Sequence, residues 1–321
     1  MYKTIFRRIL ILIPQLFVIS LFVFMLAEFM PGDALTGLRD NPSIDREHIE
    51  RLREYHGLND PWPQQYIRWI GRIVTQGDFG RSVTHQRPVT ELIGERFANT
   101  FWLALLTAFL TYLIALPLGI ISGRYNGKRI DKVIGFYTYF ALAMPTIVLA
   151  LVFLLIFGFR LDVFPTGGSV DVWAEGFFGI LFSRLYHMIL PAITGALLGT
   201  VGIIQYLRNE IMDYEVSDFV TTARSKGVPQ NKVYSRHIFR NALIPITSDF
   251  GIVVAGMLIG TIFIERVFSY PGMGYLFLSS ITGRDFTTIN ALILLFSCII
   301  AVGALISDIM LTVVDPRIRI K

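Results

Sequence analysis

Apolar residues in this chain gather into long runs separated by short polar stretches. Six runs are long enough to cross a bilayer: about Ile9–Phe29, Thr100–Ile121, Val133–Phe159, Leu185–Leu207, Leu243–Val267 and Ile289–Val314. A helix needs about 20 apolar residues to span roughly 30 Å of hydrocarbon. The pattern predicts an all-α membrane protein with six transmembrane helices. Met144–Pro145 and Pro191 fall inside the third and fourth runs and are expected to interrupt them, because proline frees a carbonyl and kinks a helix. Gly195, Gly199 and Gly202 predict close helix contact in the fourth.

The polar stretches differ in lysine content. One set holds Lys3, Arg7 and Arg8; the tight loop with Arg124, Lys128, Arg129 and Lys132; the segment Asp218–Pro245; and the tail with Arg317, Arg319 and Lys321. The other set, Asp33–Arg96, Arg160–Arg184 and Phe268–Thr288, contains no lysine. With six spans each set falls on one side, and positive charge marks the first side, with both termini, as cytoplasmic. The first run is longer than the ~7–15 residues of a signal-peptide core and is read as a retained span.

Three regions follow: 1–30 with the first span, 31–98 as an extracytoplasmic helical cap, and 99–321 as a five-helix core carrying a polar loop at 208–244. In the cap, Ser43 is expected to start a helix with Asp45 and Glu47 in its first turn, an Ile49, Leu52 and Tyr55 stripe, and Gly57 at its end. A second helix follows Pro61, with Trp62, Tyr66, Trp69, Ile70 and Ile73 at helical spacing. Two uses suit such a cap: a lid on the membrane surface, and a docking surface for a substrate-delivering protein.

Composition narrows the class. The 321 residues are 53% hydrophobic and 17% charged, with mean hydropathy +0.57, against about 25% charged in soluble domains. The net charge of +5 sits beside apolar runs and does not point to nucleic acid. The single cysteine, Cys298, lies in an apolar run, so no intrachain disulfide is expected. His48, His56, His85, His187 and His237 lack ligand spacing, so no metal site is expected. The Gly123–Arg129 stretch has neither phosphate-loop spacing nor its Ser/Thr. No cofactor and no enzymatic activity are expected in this chain.

The polar island Asp218–Pro245 is the richest in candidate chemistry. Ser217 is expected to cap a helix running to Lys226, with Asp218 at its positive end, Gly227 in a left-handed turn and Pro229 opening the next helix. Small Thr222 and Ala223 suit close approach by a partner. Two readings stand: a helix pair docked on a partner protein, and a basic amphipathic pair on anionic lipid. Charges within runs are rare and costly. Asp249, in the fifth run, either pairs with a neighbouring helix or subunit or lines a path. Asp308 is read as structural. Glu265 ends the fifth run and leads into Ser269–Gly274, a segment suited to re-entering the membrane and narrowing an outer mouth.

Specific motifs carry a resemblance. D-F-V-T-T-A-R-S-K-G (Asp218–Gly227) followed by R-H-I-F-R-N-A-L-I-P (Arg236–Pro245) looks like the coupling-loop motif of ABC importer permeases. Arg7–Pro14, Met30–Asp33, Tyr55–Pro61, Gln65–Trp69, Gly77–Ser82, Arg87–Val89, Glu265–Gly274 and Asp315–Arg319 fit in the same order. The chain resembles the peptide/nickel branch, and within it the B-type subunit of oligopeptide and dipeptide permeases.

The resemblance implies the ABC importer type I permease fold in a bacterial cytoplasmic membrane. Implied partners are a homologous second permease subunit, two cytoplasmic ABC ATPases and an extracytoplasmic peptide-binding protein. It assigns Asp218, Thr221, Thr222, Ala223, Arg224, Lys226, Gly227, Arg236 and His237 to ATPase coupling. Asp249, Glu265, Pro271, Gly272, Met273 and Gly274 are assigned to the translocation path or its gate. The general importer motif carries Glu-Ala-Ala where this chain has Thr221, Thr222 and Ala223, so its acidic member is absent, and Pro229 falls later than usual. Both departures look typical of the peptide branch. The competing classes are a proton-coupled peptide carrier using Asp249, and an ABC permease for nickel or another small solute.

Overall fold

A computed structural model describes residues 2–29 and 59–314, with positions 45, 47, 50, 51 and 53 between them. Regular structure among the described residues is helical, apart from one isolated bridge between Arg81 and Pro88. The helices are α1 (Tyr2–Phe29), α2 (Trp62–Gln76), α3 (Val89–Arg124), α4 (Arg129–Ala143), α5 (Thr146–Phe153), α6 (Gly176–Glu215), α7 (Asp218–Ser225), α8 (Gln230–Lys232), α9 (Phe239–Ser248), α10 (Phe250–Gly260), α11 (Ile262–Val267), α12 (Met273–Thr282) and α13 (Phe286–Val314). π-helical turns follow α5 (Leu154–Arg160) and α8 (Val233–Ile238). Ser43, Ile49, Leu52, Tyr55 and Gly57 of the first cap helix lie outside the described residues, as do Met30–Asp33 and Asp315–Arg319.

Among the described residues, four stretches are long and apolar enough to cross a membrane: α3, α6, α10 with α11, and α13. The pair Arg129–Ala143 and Thr146–Arg160 passes together as a fifth, bent by 102°. The predicted third span is therefore not a straight rod. Pro145 has no N–H to donate, and Met144 before it is driven to extended backbone at φ −83°, ψ 117°. Pro191 does not interrupt its helix: α6 runs through it, with Leu190, Pro191 and Ala192 buried. Leu190 and Ala192 beside it belong to a buried apolar cluster. The predicted fifth span is three helices, divided at Asp249 and Thr261. Its qualifying stretch starts at Phe250 rather than Leu243.

The chain divides into two compact units. The first comprises Met1–Ile5, Phe101–Tyr270 and Val302–Lys321. In it α3 and α6 meet on small residues. A Cβ on Gly123 would lie 2.8 Å from the Ile211 Cβ, and one on Gly195 2.9 Å from the Thr107 Cγ2. Gly199 likewise abuts Thr111, but Gly202 faces open space, so only two of the three predicted α6 glycines make close contact. A Cβ on Gly251 of α10 would meet the Gly303 carbonyl oxygen, and would lie 2.8 Å from both the Ile306 Cβ and the Ser307 nitrogen of α13.

At one end of this unit, buried Asp131 gathers three helices. Its Oδ1 accepts from Ser122 Oγ at 2.6 Å and Arg208 Nε at 2.7 Å, and its Oδ2 accepts from the Gly127 amide at 2.8 Å and Arg208 Nη2 at 3.0 Å. Ser122 ends α3, Asp131 starts α4 and Arg208 belongs to α6, so one ion pair pins all three.

The second unit comprises Phe6–Thr100 and Pro271–Ala301. The helix predicted after Pro61 is α2, ended by Gly77 in the left-handed region at φ 65°. Tyr66 and Trp69 are buried with Leu294, and Tyr66 shares a 2.8 Å hydrogen bond with Ser20 Oγ. Asp285, fully buried, accepts from Ser82 Oγ at 2.5 Å and Thr288 Oγ1 at 2.8 Å. That seats the Gly77–Ser82 segment at the start of α13.

Gly251→Ala is expected to destabilise the chain by about 1–3 kcal/mol through overpacking, whereas Gly256→Ala, with nothing within 4 Å, stays near wild type. Thermal unfolding of the two variants in detergent checks this; equal melting points would refute the close approach. Asp131→Ala should cost about 3 kcal/mol by stranding Arg208, seen as a lowered midpoint in the same assay.

Candidate functional site

The polar island folds as a compact excursion from the end of α6. Two residues, Val216 and Ser217, turn the chain into α7. Asp218 sits in its first turn, where a carboxylate favours the positive end of the helix dipole. Ser217 takes the backbone position of a cap at φ −73°, ψ 152°, but its side chain does not cap. Its hydroxyl instead donates backward to the Tyr214 carbonyl at 2.6 Å, while its carbonyl accepts the Val220 and Thr221 amides at 3.1 Å. Gly227 ends the helix in the left-handed region at φ 73°, with the Val228 amide bonded to the Ala223 carbonyl at 3.2 Å. That closing pattern is the usual reason for glycine at this position. Pro229 then precedes α8 at φ −56°.

Helical phase decides which of the predicted residues are presented. Asp218, Thr221, Thr222, Arg224, Lys226 and Gly227 are exposed. Ala223 is not: with Val220 it is buried against Leu207, Ile211, Val233 and Ile238. Its side chain faces the chain's own core rather than the exposed side of α7. Arg236 is exposed and His237 half-buried. The His237 carbonyl accepts from Asn241 Nδ2 at 2.6 Å. The exposed surface also holds two apolar residues outside the expected set, Val216 at 81% exposure and Phe219 at 42%. Lys226, Lys232, Arg236 and Arg240 are exposed in the same loop. An apolar spot among exposed basic residues is poorly served by water and suits another protein.

The loop is tied to its flanks by polar bonds. Glu215, the last residue of α6, accepts from Arg224 Nη2 at 3.0 Å and from the Tyr234 hydroxyl at 2.7 Å. Tyr234 is buried, and burial, then its bond to Glu215, pushes its phenol up to about 12. The hydroxyl therefore keeps its proton at physiological pH and donates to Glu215. A hydrogen bond to a charged acceptor contributes about 1.5–3 kcal/mol. The Arg224–Glu215 pair, 41% and 31% exposed, adds little to stability.

The residues assigned to the path or gate are divided between the two units. Asp249 is exposed at the junction of α9 and α10. Glu265, in α11, is fully buried and accepts from Thr261 Oγ1 at 3.2 Å. The turn after it is fixed by the Tyr270 amide bonded to the Glu265 carbonyl at 2.8 Å and by the Gly168 amide bonded to the Ser269 carbonyl at 3.3 Å. In the second unit, Pro271 accepts from Asn99 Nδ2 at 2.9 Å, and the Met273 amide donates to Thr100 Oγ1 at 2.8 Å. Gly272, Met273 and Gly274 are buried there, at the start of α12, an apolar helix too short to cross a membrane.

An open groove of about 1160 Å³ was not foreseen in the sequence. It is lined by Asp162, Phe164, Trp173, Phe182, Tyr186 and His187 among others. The non-helical stretch that forms much of it has no periodicity from which a shape could be read.

Comparison with known proteins places the whole chain. Residues 115–320 match the family described as "Binding-protein-dependent transport system inner membrane component", and residues 1–104 match its N-terminal companion. The chain is 38% identical over 316 residues to the oligopeptide transport system permease protein AppB of Bacillus subtilis (strain 168), covering 98% of each. It is 31% identical over 321 residues to the dipeptide transport system permease protein DppB of Lactococcus lactis subsp. cremoris (strain MG1363), covering both chains fully. It is 33% identical over 322 residues to the glutathione transport system permease protein GsiC of Escherichia coli (strain K12), again covering both fully. A chain of the inward-facing MetNI methionine ABC transporter shares its fold at a TM-score of 0.56 and 12% identity, over 70% of this chain and 97% of that one.

Proposed function

The chain belongs to the family of inner-membrane components of binding-protein-dependent transport systems, and from that premise we propose that it is one of two permease subunits of an ATP-driven importer of oligopeptides or dipeptides. The observation that carries this reading is the end-to-end similarity to an oligopeptide permease at 38% identity. In the proposed topology α1 and the bent α4–α5 pair complete six spans, and both termini are cytoplasmic. The lysine-free segments, including the 31–98 cap, then face outward toward a peptide-binding protein.

A homologous second permease would supply the other half of the path, and two separate ATPases would hydrolyse the nucleotide. The exposed face of α7, with Thr222, Arg224 and Lys226 beside Phe219, would seat on an ATPase. Nucleotide-driven closure of the ATPases would move α7, and the spans would swing between inward-open and outward-open states. Asp249, exposed at the α9–α10 junction, suits a path-lining role. Glu265 suits a structural one, because a fully buried carboxylate needs fixed partners. The loop's exposed apolar and basic surface has no use in a proton-coupled carrier, which is why that class is not favoured.

Reconstitution with cognate ATPases and binding protein in proteoliposomes tests the reading. Peptide uptake should require ATP inside and binding protein outside, and should survive a protonophore. Uptake without ATP that collapses with a protonophore would return the carrier to the front. Asp249→Asn should assemble normally and change uptake only modestly. In a background lacking Cys298, Thr222→Cys is expected to crosslink to the ATPase in a nucleotide-sensitive manner. Ala223→Cys, facing the core, should crosslink far less; equal crosslinking of the two would contradict the helical phase described above.

A further inference from the structure

The polar bonds around the loop form one connected set that reaches two long helices. Glu215 ends α6 and holds both Arg224 of α7 and Tyr234 of the π-helical turn. The Tyr234 ring lies 5.0 Å from the Arg124 guanidinium carbon, and Arg124 is the last residue of α3. Arg124 Nη2 also donates to Asn231 Oδ1 of α8 at 2.7 Å. The ends of α3 and α6, the exposed helix α7 and the chain returning from it are therefore linked through one carboxylate and one aromatic ring.

These bonds differ in kind from the apolar packing beside them. Val220 and Ala223 rest on Leu207, Ile211 and Val233 through contacts that have no preferred direction. Such a surface resists separation but permits sliding and rotation. Hydrogen bonds weaken steeply when misaligned, so a displacement of α7 must either break the Glu215 contacts or carry α6 and the Tyr234 turn with it. Tyr234, which meets both Glu215 and Arg124, is carried by the π-helical turn Val233–Ile238, a geometry that is frequent at functional sites.

We propose that Glu215, Tyr234 and Arg124 form a transmission clamp, positioning residues that convert displacement of α7 into movement of α3 and α6. The proposal rests on the reading of the loop as the ATPase-coupling segment. It assigns the clamp to directional transfer, in addition to what the Tyr234–Glu215 bond contributes to holding the fold.

The test uses the full complex of both permeases, the ATPases and the binding protein in proteoliposomes, with Tyr234→Phe, Glu215→Gln and their double variant. The readout is peptide imported per ATP hydrolysed, beside co-purification of subunits and melting point. Each single variant should assemble and retain ATP hydrolysis, with a melting point lowered only as far as the loss of one hydrogen bond requires, while peptide per ATP falls by ~5-fold or more. The double variant should be no worse than the worse single, because both remove the same link.

Wild-type peptide per ATP in both single variants would overturn the clamp. So would losses that only track the amount of assembled complex. Should Glu215→Gln fail to assemble, Tyr234→Phe decides alone, as it removes one hydroxyl and keeps the ring under Arg124. A wild-type complex that imports without ATP would refute the importer reading itself, and the clamp with it.

Discussion

Hydrocarbon offers backbone N–H and C=O groups no partner, so a chain that crosses it must satisfy them within its own helices. That constraint governs where the long helices of this protein can break. At Asp249 the backbone stays in the right-handed helical region, the Asp249 amide bonds the Pro245 carbonyl at 2.9 Å, and the Asp249 carbonyl receives the Val253 amide at 3.0 Å. Thr261 is treated alike, bonded to Met257 at 3.2 Å on one side and to Glu265 at 2.8 Å on the other. These are redirections that orphan almost nothing. The sharper turn at Met144–Pro145 uses the one residue type with no amide to satisfy, while the Met144 amide still reaches the Ala141 carbonyl at 3.3 Å.

With the backbone closed, the remaining freedom lies in how helices approach one another. Lipid is as apolar as leucine, so closeness rather than hydrophobicity holds spans together. Gly119, Gly123 and Gly195 bring α3 against α6, and Gly251 with Gly303 does the same for α10 and α13. The polar island obeys the opposite economy. Water competes for every bond there, so a few charge-assisted contacts on a buried phenol define its geometry, and apolar packing only backs them.

Much of this was legible in the sequence. Long apolar runs, the helix after Pro61 and the left-handed Gly227 all rest on local rules that read along the chain. The bend at Pro145 was foreseeable in place but not in size, because 102° depends on what packs against both arms. Pro191 and Gly202 show the converse: the same residue types do nothing comparable when their surroundings differ. The small size of Ala223 suits a partner's backbone and a crowded core equally well, and helical phase is what turns it to the core. The Glu215–Tyr234 bond could not be read at all. It joins residues 19 apart across two turns, and no periodicity links them. Glu265 and Met273 belong to one motif in the sequence, while compactness assigns them to different units.

The bond between Glu215 and Tyr234 makes the intervening chain a closed loop with a neck. Everything between the two residues behaves like thread on a drawstring whose circumference is set at the neck and whose slack sits at the tip, Gly227–Pro229. A residue inserted within α7 would advance its phase by about 100°, turning Val220 and Ala223 toward solvent and rotating the charged face inward. The same residue inserted at the tip would lengthen the loop and leave that phase intact. Length variation among chains built this way is therefore expected to collect at the tip, with the neck and the helix between them keeping a fixed count.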